Sequence, residues 1–599
     1  MSTSRRIAGR GCALAALAAT ALGPLAARAE APMSAIDWLS KSVTRPAVQS
    51  ALPHRLPPTR DPAAAPPVPP AVPPGSLPPG TALPGTTLPG TTPGSAAPAA
   101  MAPGGGLPPG TMTRPETPGT PGLPGTAPGS APQGAAPDSG AVPGSVAVSV
   151  LRKGPALDGV GLLPVQKTGL PRDLWGKTPT KDLVQLIRQE TLDTLPALRQ
   201  LLYTILLAEV DPPADSTGDG RLLLARIDRL LDLGALDQAE ALLQLSGTDR
   251  PELFRRWFDV TLLLGDENRA CQTMRGSPDV APTFPARIFC LARSGDWNAA
   301  ALTLRTAEAL GFVTGEQSAL LERFLDPEIE DGADPLPPPS RPSPLVWRMM
   351  EAIGEPMPTN TLPVAFAQGD LRSNAGWKQQ IEAAERLVRT GAVSPNRLLG
   401  LYTERRPAAS GGVWDRVAAI QSFDNAVTRG DPKAIAHSLP TAWKAMRAAR
   451  LEVAFAQLYG ARLARLPLTG PAAAIAYRVG LLSKRYESIA ALHKPADATE
   501  AFLRGIARGE LSGTTPPDAM GRAIAAAFAT PAPVPQDLDR LLQDQRLGEA
   551  ILRAIDRVST GAQGDLRGVT DGLALLRRVG LEDAARQTAL QLMLLHRQE

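Results

Sequence analysis

The sequence predicts an all-α fold: a helix-turn-helix repeat solenoid, preceded by a signal peptide and a long disordered Pro/Gly/Ala/Thr-rich region. Three observations predict it. Between Arg221 and Gly311 one turn pattern comes round repeatedly, as Gly234-Ala-Leu-Asp-Gln-Ala239, Gly265-Asp-Glu-Asn-Arg-Ala270 and Gly295-Asp-Trp-Asn-Ala-Ala300. The glycines recur at intervals of 31 and 30 residues, each between an apolar helical run and an Ala-rich one, and internal repeats of this length signal stacked helix pairs. Apolar residues fall at helical spacing through most of the chain beyond about residue 178. The chain's Gly (55) and Pro (63) are concentrated ahead of that point, where they prevent a core from forming.

The N-terminus reads as an export signal. Arg5, Arg6 and Arg10 give a positive stretch, Cys12–Leu22 a short apolar one, and Ala27-Arg28-Ala29 a small-residue cleavage site. Residues 1–29 are therefore expected to be removed between Ala29 and Glu30. Neither this apolar run nor any later window reaches about 18 apolar residues, so no integral membrane span is expected in the mature chain. The expected location is exported and periplasmic.

Residues 30–51 contain Ser34-Ala-Ile-Asp-Trp-Leu-Ser40. Ser34 and Asp37 have the spacing of a helix-capping pair, and Ile36, Trp38 and Leu39 would supply an apolar surface. A short motif of Ile36, Asp37, Trp38 and Leu39 on a tether has the design of a docking peptide. The plainer alternatives are a turn packed on its own chain and a spacer behind the cleavage site. Residues 52–147 form the tether, with units such as Leu83-Pro-Gly-Thr86 and Leu88-Pro-Gly-Thr91. Its composition predicts disorder and a span of about 50–60 Å. Gly119, Gly122 and Gly125 keep a period of three that fails at Gly129, which excludes collagen. The bias resembles antifreeze glycopeptides by composition only, and implies no ice binding.

Residues 148–178 are an extended entry segment ending in Leu170-Pro-Arg-Asp-Leu-Trp-Gly176. Residues 179–326 form an N-terminal helical-repeat block, 327–344 a Pro-rich hinge and 345–599 a C-terminal helical block. In the first block Leu198, Leu201, Leu202, Ile205 and Leu206 share one helix face. Trp257 and Trp297 are expected to pack inside helices. In the second block helices are expected over 376–391, 395–404, 414–429, 441–465, 472–493, 497–508, 518–529 and 538–558, with 582–595 capping the stack. Gly430 and Gly580 open degenerate echoes of the repeat turn. The exposed-looking loop Arg406–Gly412, ahead of Trp414, is a further place for a partner.

The Gly234, Gly265 and Gly295 units resemble tetratricopeptide and related helical repeats over about 90 residues, with a slightly shorter period and without the full Trp/Tyr/Pro pattern. The resemblance implies antiparallel helix pairs and an extended binding surface. The order of signal, Ser-Ala-Ile-Asp-Trp-Leu-Ser motif, Pro-rich tether and Leu-Pro-Arg-Asp-Leu-Trp-Gly entry also resembles uncharacterised secreted proteobacterial proteins, which implies export and no activity.

Catalytic, cofactor-binding and metal-binding motifs are missing from the sequence. His54, His437, His493 and His596 are scattered, with no zinc spacing, nucleophile elbow or phosphate loop. Asp215-Ser-Thr-Gly-Asp-Gly220 matches half a calcium loop, but Thr217 and Arg226 stand where ligands belong, so a capping loop is expected. The net charge of +4 carries no basic run, which argues against nucleic acid. Cys271 and Cys290 are the two cysteines of the mature chain and form a disulfide candidate. The expectation is a non-enzymatic exported scaffold, an α-solenoid that binds a protein or envelope polymer, with a tethered N-terminal peptide. The alternatives are a cell-envelope structural or assembly factor with the tether as spacer, and a hydrolase with an unrecognised site. Oligomeric state is not legible.

Overall fold

One kind of turn ends helices throughout this protein. At Gly234 the backbone enters the left-handed region (φ 75°), and the amide of Ala235 donates back to the carbonyl of Leu230 (2.9 Å). This six-residue closure satisfies carbonyls that a helix end leaves orphaned. Asp266 makes the same bond to Thr261 (2.8 Å) and Asp296 to Leu291 (3.0 Å). Further on, Ala392 makes it to Leu387 and Leu581 to Leu576 (both 2.9 Å).

The computed structural model describes residues 156–326, 334–531 and 534–595. The cleavage position at Ala29 and Glu30, the Ile36–Leu39 motif and the Pro/Gly-rich region lie outside them. The first described elements are α1 (Val165–Thr168), α2 (Thr180–Gln189), α3 (Pro196–Leu207), α4 (Arg221–Asp232) and α5 (Leu236–Ser246). They are followed by α6 (Pro251–Leu264), α7 (Glu267–Gly276), α8 (Phe284–Arg293), α9 (Trp297–Ala309) and α10 (Gly315–Leu325). Then come α11 (Pro344–Ala352), a 3₁₀ segment Val364–Leu371, α12 (Trp377–Thr390), α13 (Pro395–Glu404), α14 (Val413–Arg429), α15 (Pro432–Ala448) and α16 (Glu452–Leu463). The chain continues through α17 (Gly470–Leu481), α18 (Tyr486–Leu492), α19 (Ala498–Arg508) and α20 (Ala519–Ala527), and ends with α21 (Gln536–Gln543), α22 (Leu547–Gly561), α23 (Leu566–Arg578) and α24 (Glu582–Leu595). Among the described residues the fold is all-α; the sole β-type pairing there is an isolated bridge between Leu163 and Ala208. No described helix is long and apolar enough to cross a membrane.

Expected single helices over 441–465, 472–493 and 538–558 are each split. The first breaks at Arg450 (φ 56°) and the last at Gln545 (φ 60°). Both positions make the Schellman closure without glycine, through Leu451 to Met446 (2.9 Å) and Arg546 to Leu541 (2.8 Å). Between α17 and α18, the Ser483 hydroxyl donates to the Gly480 carbonyl (2.7 Å) and accepts from the Arg485 amide (3.2 Å), which ends the helix. The repeat turn thus runs further than the glycine count shows.

Buried arginines supply other helix ends. Arg226 on α4 is fully buried. Its Nε, Nη1 and Nη2 donate to the carbonyls of Leu206, Val160 and Ala208, each at 2.8 Å, so one side chain closes the end of α3. Burial pulls this guanidinium down to about 10 while Asp158 opposes the shift. Its neighbour Arg229 treats α2 the same way, through Ile187 and Arg188 (2.8 Å each). Asp158 caps α4 from outside, accepting the amides of Leu222 (2.9 Å) and Leu223 (3.1 Å). Asp215, in the loop with half a calcium pattern, accepts the Thr180 amide (2.9 Å) and hydroxyl (2.6 Å) and so caps α2.

Trp257 packs in the core, whereas Trp297 is half exposed (50%), a departure from its expected buried place. Cys271 on α7 and Cys290 on α8 are joined by a disulfide, with Cα atoms 4.9 Å apart.

The two described ends meet. The Leu-Trp-Gly of the entry segment lies flat on the turn into α22: the Gly548 amide donates to the Leu174 carbonyl (2.8 Å), and Lys177 donates to Gln545 (3.1 Å). A Cβ on Gly548 would sit 2.6 Å from the Trp175 ring, so glycine alone admits the indole there. Helix α2 also packs on α22, and α3 on α24. The middle closes too: Gln368 of the 3₁₀ segment donates to the carbonyl of Gly234 (2.7 Å), and α11 packs on α6.

Candidate functional site

Because the ends meet, helix termini from distant parts of the chain converge around one cavity of about 1000 Å³. The starts of α3, α13 and α16 face it, with the ends of α12 and α22 and one face of α24. Its wall mixes polar and apolar groups, the polar ones coming largely from these helix termini. Gln591 of α24 reaches the first turn of α3, where its Oε1 accepts the Ala197 amide (2.8 Å).

Three arginines line this space: Arg199, Arg389 and Arg450. Two acids, Asp193 and Glu452, face them. Arg199 is buried at the start of α3 and donates through Nη2 to the Thr194 carbonyl (2.6 Å) and through Nη1 to the Arg389 carbonyl. Burial pulls its guanidinium below the usual value, partly offset by Tyr203 and Asp193. Arg389 donates to Ala449 (3.2 Å). Neither Arg199 nor Arg389 forms an ion pair with a described carboxylate. Arg450 stands 4.0 Å from Asp193 across an exposed contact.

Tyr203 is 7% exposed, and its hydroxyl has no hydrogen-bond partner among the described residues. Burial raises its phenol above the usual value, and Arg199 opposes that. A buried hydroxyl without a partner is costly and suits a wall meant to be covered by a polar ligand. The chemistry on offer is recognition of carboxylates and hydroxyls by guanidinium, amide and phenol groups. Among the described residues no three His, Cys, Asp or Glu side chains converge as metal ligands.

The loop Arg406–Gly412 lies elsewhere. It is mostly exposed, and Trp414 beyond it packs against Trp377 with ring centres 5.0 Å apart and planes tilted by 41°. Neither Cys271 nor Cys290 belongs to the cavity lining. Sequence reasoning missed Arg199, Tyr203 and Arg389 because each sits in an ordinary helical pattern. The available signal was two helix starts, Leu195-Pro196 and Ser394-Pro395, each followed or preceded closely by an arginine. No family model matches the chain, and no curated protein or solved structure is similar to it.

Proposed function

We propose that this protein is a non-enzymatic, exported α-solenoid scaffold whose central cavity holds a carboxylated, hydroxyl-rich segment of an envelope polymer. The tethered Ile36–Leu39 motif serves as its docking peptide. The observation that carries the reading is Arg199 and Arg389, two cavity-lining guanidiniums outside ion-pair distance of any described carboxylate, beside a Tyr203 hydroxyl that has no hydrogen-bond partner among the described residues. A carboxylate entering the cavity would gain charge-assisted hydrogen bonds in a site of reduced dielectric. The glutamines on the wall, Gln200, Gln457 and Gln563 among them, suit sugar hydroxyls through paired donors and acceptors. Export rests on the basic and apolar stretches ahead of Ala29, and an oxidising compartment suits the Cys271–Cys290 disulfide.

The test is binding of fluorescent oligogalacturonate to the mature full-length chain, with oligoglutamate of equal charge as the peptide arm. Oligogalacturonate is expected to bind, and Arg389→Gln to weaken it about tenfold, the usual scale for one charged hydrogen bond. Binding of oligoglutamate alone would move the reading to an acidic protein partner. Binding of neither would overturn it, and release of shortened glycan would make the protein a hydrolase.

A further inference from the structure

A second pocket, of about 350 Å³, lies between α6, the start of α8 and α11. Phe258, Phe284, Phe312, Val346 and Met349 give it apolar walls. Phe284 and Phe312 stack with ring centres 4.8 Å apart, and Phe312 stays 41% exposed at the rim. One acceptor is set into this apolar surface: Asp259, 7% exposed, whose Oδ2 has no partner among the described residues. Arg287 lies exposed on the same lining. The pocket therefore asks for a large flat apolar group with a single N–H or O–H donor, next to a negative charge.

We propose that Trp38, in the Ser34–Ser40 segment, docks in this pocket of its own chain, with its indole N–H donated to Asp259. The inference rests on the reading of Ile36–Leu39 as a docking motif, and names its seat.

The chemistry is specific. Trp38 is the sole Phe, Trp or Tyr ahead of Ala156, so this stretch has no other large apolar ring to offer. Indole carries one donor and no acceptor, the complement of a pocket with one orphan acceptor. Ile36 and Leu39 add apolar area for the phenylalanines, and Asp37 faces the right charge in Arg287. The geometry allows the reach. A Cβ on Gly220 would meet Leu157 at 3.2 Å and Arg250 at 3.9 Å. The start of the described chain therefore sits beside the residue that precedes α6, the helix that carries Phe258 and Asp259. A Pro/Gly-rich segment of about 115 residues separates Ser40 from that point. It spans on the order of 60 Å and holds its end at a local concentration of about a millimolar. Burial raises the Asp259 carboxyl to about 7, with Arg255 and Arg256 opposing.

The test uses full-length mature chain and a fluorescein-labelled Ser34–Ser40 peptide, read by anisotropy. In the wild-type chain the tethered segment competes, so the peptide is expected to bind about tenfold more tightly to the Trp38→Ala chain than to wild type. A peptide carrying Trp38→Ala should bind neither. In the Trp38→Ala background, the rim change Phe312→Ser and the wall change Met349→Arg should each cut peptide binding about tenfold. Phe312 is exposed enough for its variant to fold if Met349→Arg does not. Equal binding to both chains, binding to neither, or binding unmoved by Phe312→Ser would overturn the proposal. So would a wild-type dimer, seen by sedimentation, that Trp38→Ala dissolves, because the seat would then belong to a second copy. Oligogalacturonate binding in the central cavity should be unchanged by Trp38→Ala, so a failure here leaves the scaffold reading standing, and the reverse also holds.

Discussion

The hydroxyls of Thr194 and Ser559, 365 positions apart, share a buried hydrogen bond of 2.6 Å. Ser559 gives its proton to the Ile555 carbonyl at 2.8 Å, so Thr194 is the donor of the pair. The bond ties the loop ahead of α3 to α22, at the wall of the central cavity. Removing Ser559 leaves the Thr194 donor buried without an acceptor, whereas removing Thr194 takes one of its two hydrogen bonds from Ser559. Thr194→Val is expected to lower stability by about 1–2 kcal/mol. Thr194→Val with Ser559→Ala should cost less than the sum of the single changes, a coupling readable by a double-mutant cycle in urea.

Arg226 should be among the most sensitive positions in the chain. Its guanidinium satisfies the carbonyls of Leu206, Val160 and Ala208 in a site without water access. Arg226→Met keeps much of the volume and orphans all three acceptors. A loss on the order of 3 kcal/mol or more is expected, measured as a lower urea midpoint at unchanged slope.

Stability should fall toward alkaline pH, and Glu190 is one reason. Burial raises its carboxyl to about 8, reinforced by Asp556 and opposed by Arg229. A folded-state value above the unfolded one means that the unfolded chain releases the proton first. The contribution is therefore full below about 4.5, and is lost as pH rises through about 8. Glu190→Gln should change little at pH 4.5 and stabilise on the order of 3 kcal/mol at pH 9. Thermal unfolding across that range checks the sign; a variant effect independent of pH would refute it.

The Cys271–Cys290 link closes a loop of 19 residues. Non-reducing peptide mapping of the purified protein should return the two cysteines in one linked fragment pair. Replacing both with serine should lower stability by roughly 3 kcal/mol in the chain-entropy picture.

Gln545 holds a left-handed backbone (φ 60°) that glycine would hold without strain. Gln545→Gly should raise stability by about 0.5–1 kcal/mol. A loss would mean that the side chain, not the backbone, maintains this turn.

These positions mark what the sequence conveys and what it does not. Apolar spacing reported α3 well: Leu198, Leu202, Ile205 and Leu206 are all buried. Glycine reported the turns at Gly234, Gly265 and Gly295. The same turn at Arg450 and Gln545 was hidden, because neighbouring packing and backbone hydrogen bonds outweigh the residue's own preference. The convergence of Arg199, Tyr203 and Arg389 was hidden for a different reason. Each has an unremarkable local pattern, and their meeting depends on α3 reaching α24, a relation that no short window contains.

Trp175 seated against Gly548 has a consequence for how the chain is made. Ribosomes deliver the entry segment hundreds of residues before its seat. Until α22 emerges, Leu174 and Trp175 lack the Gly548 turn they pack against, and the cavity has only part of its wall. Closure is thus a late, long-range event, of the kind that slows folding. A nascent chain in that state is unclasped, and loss of the last three helices should leave it so.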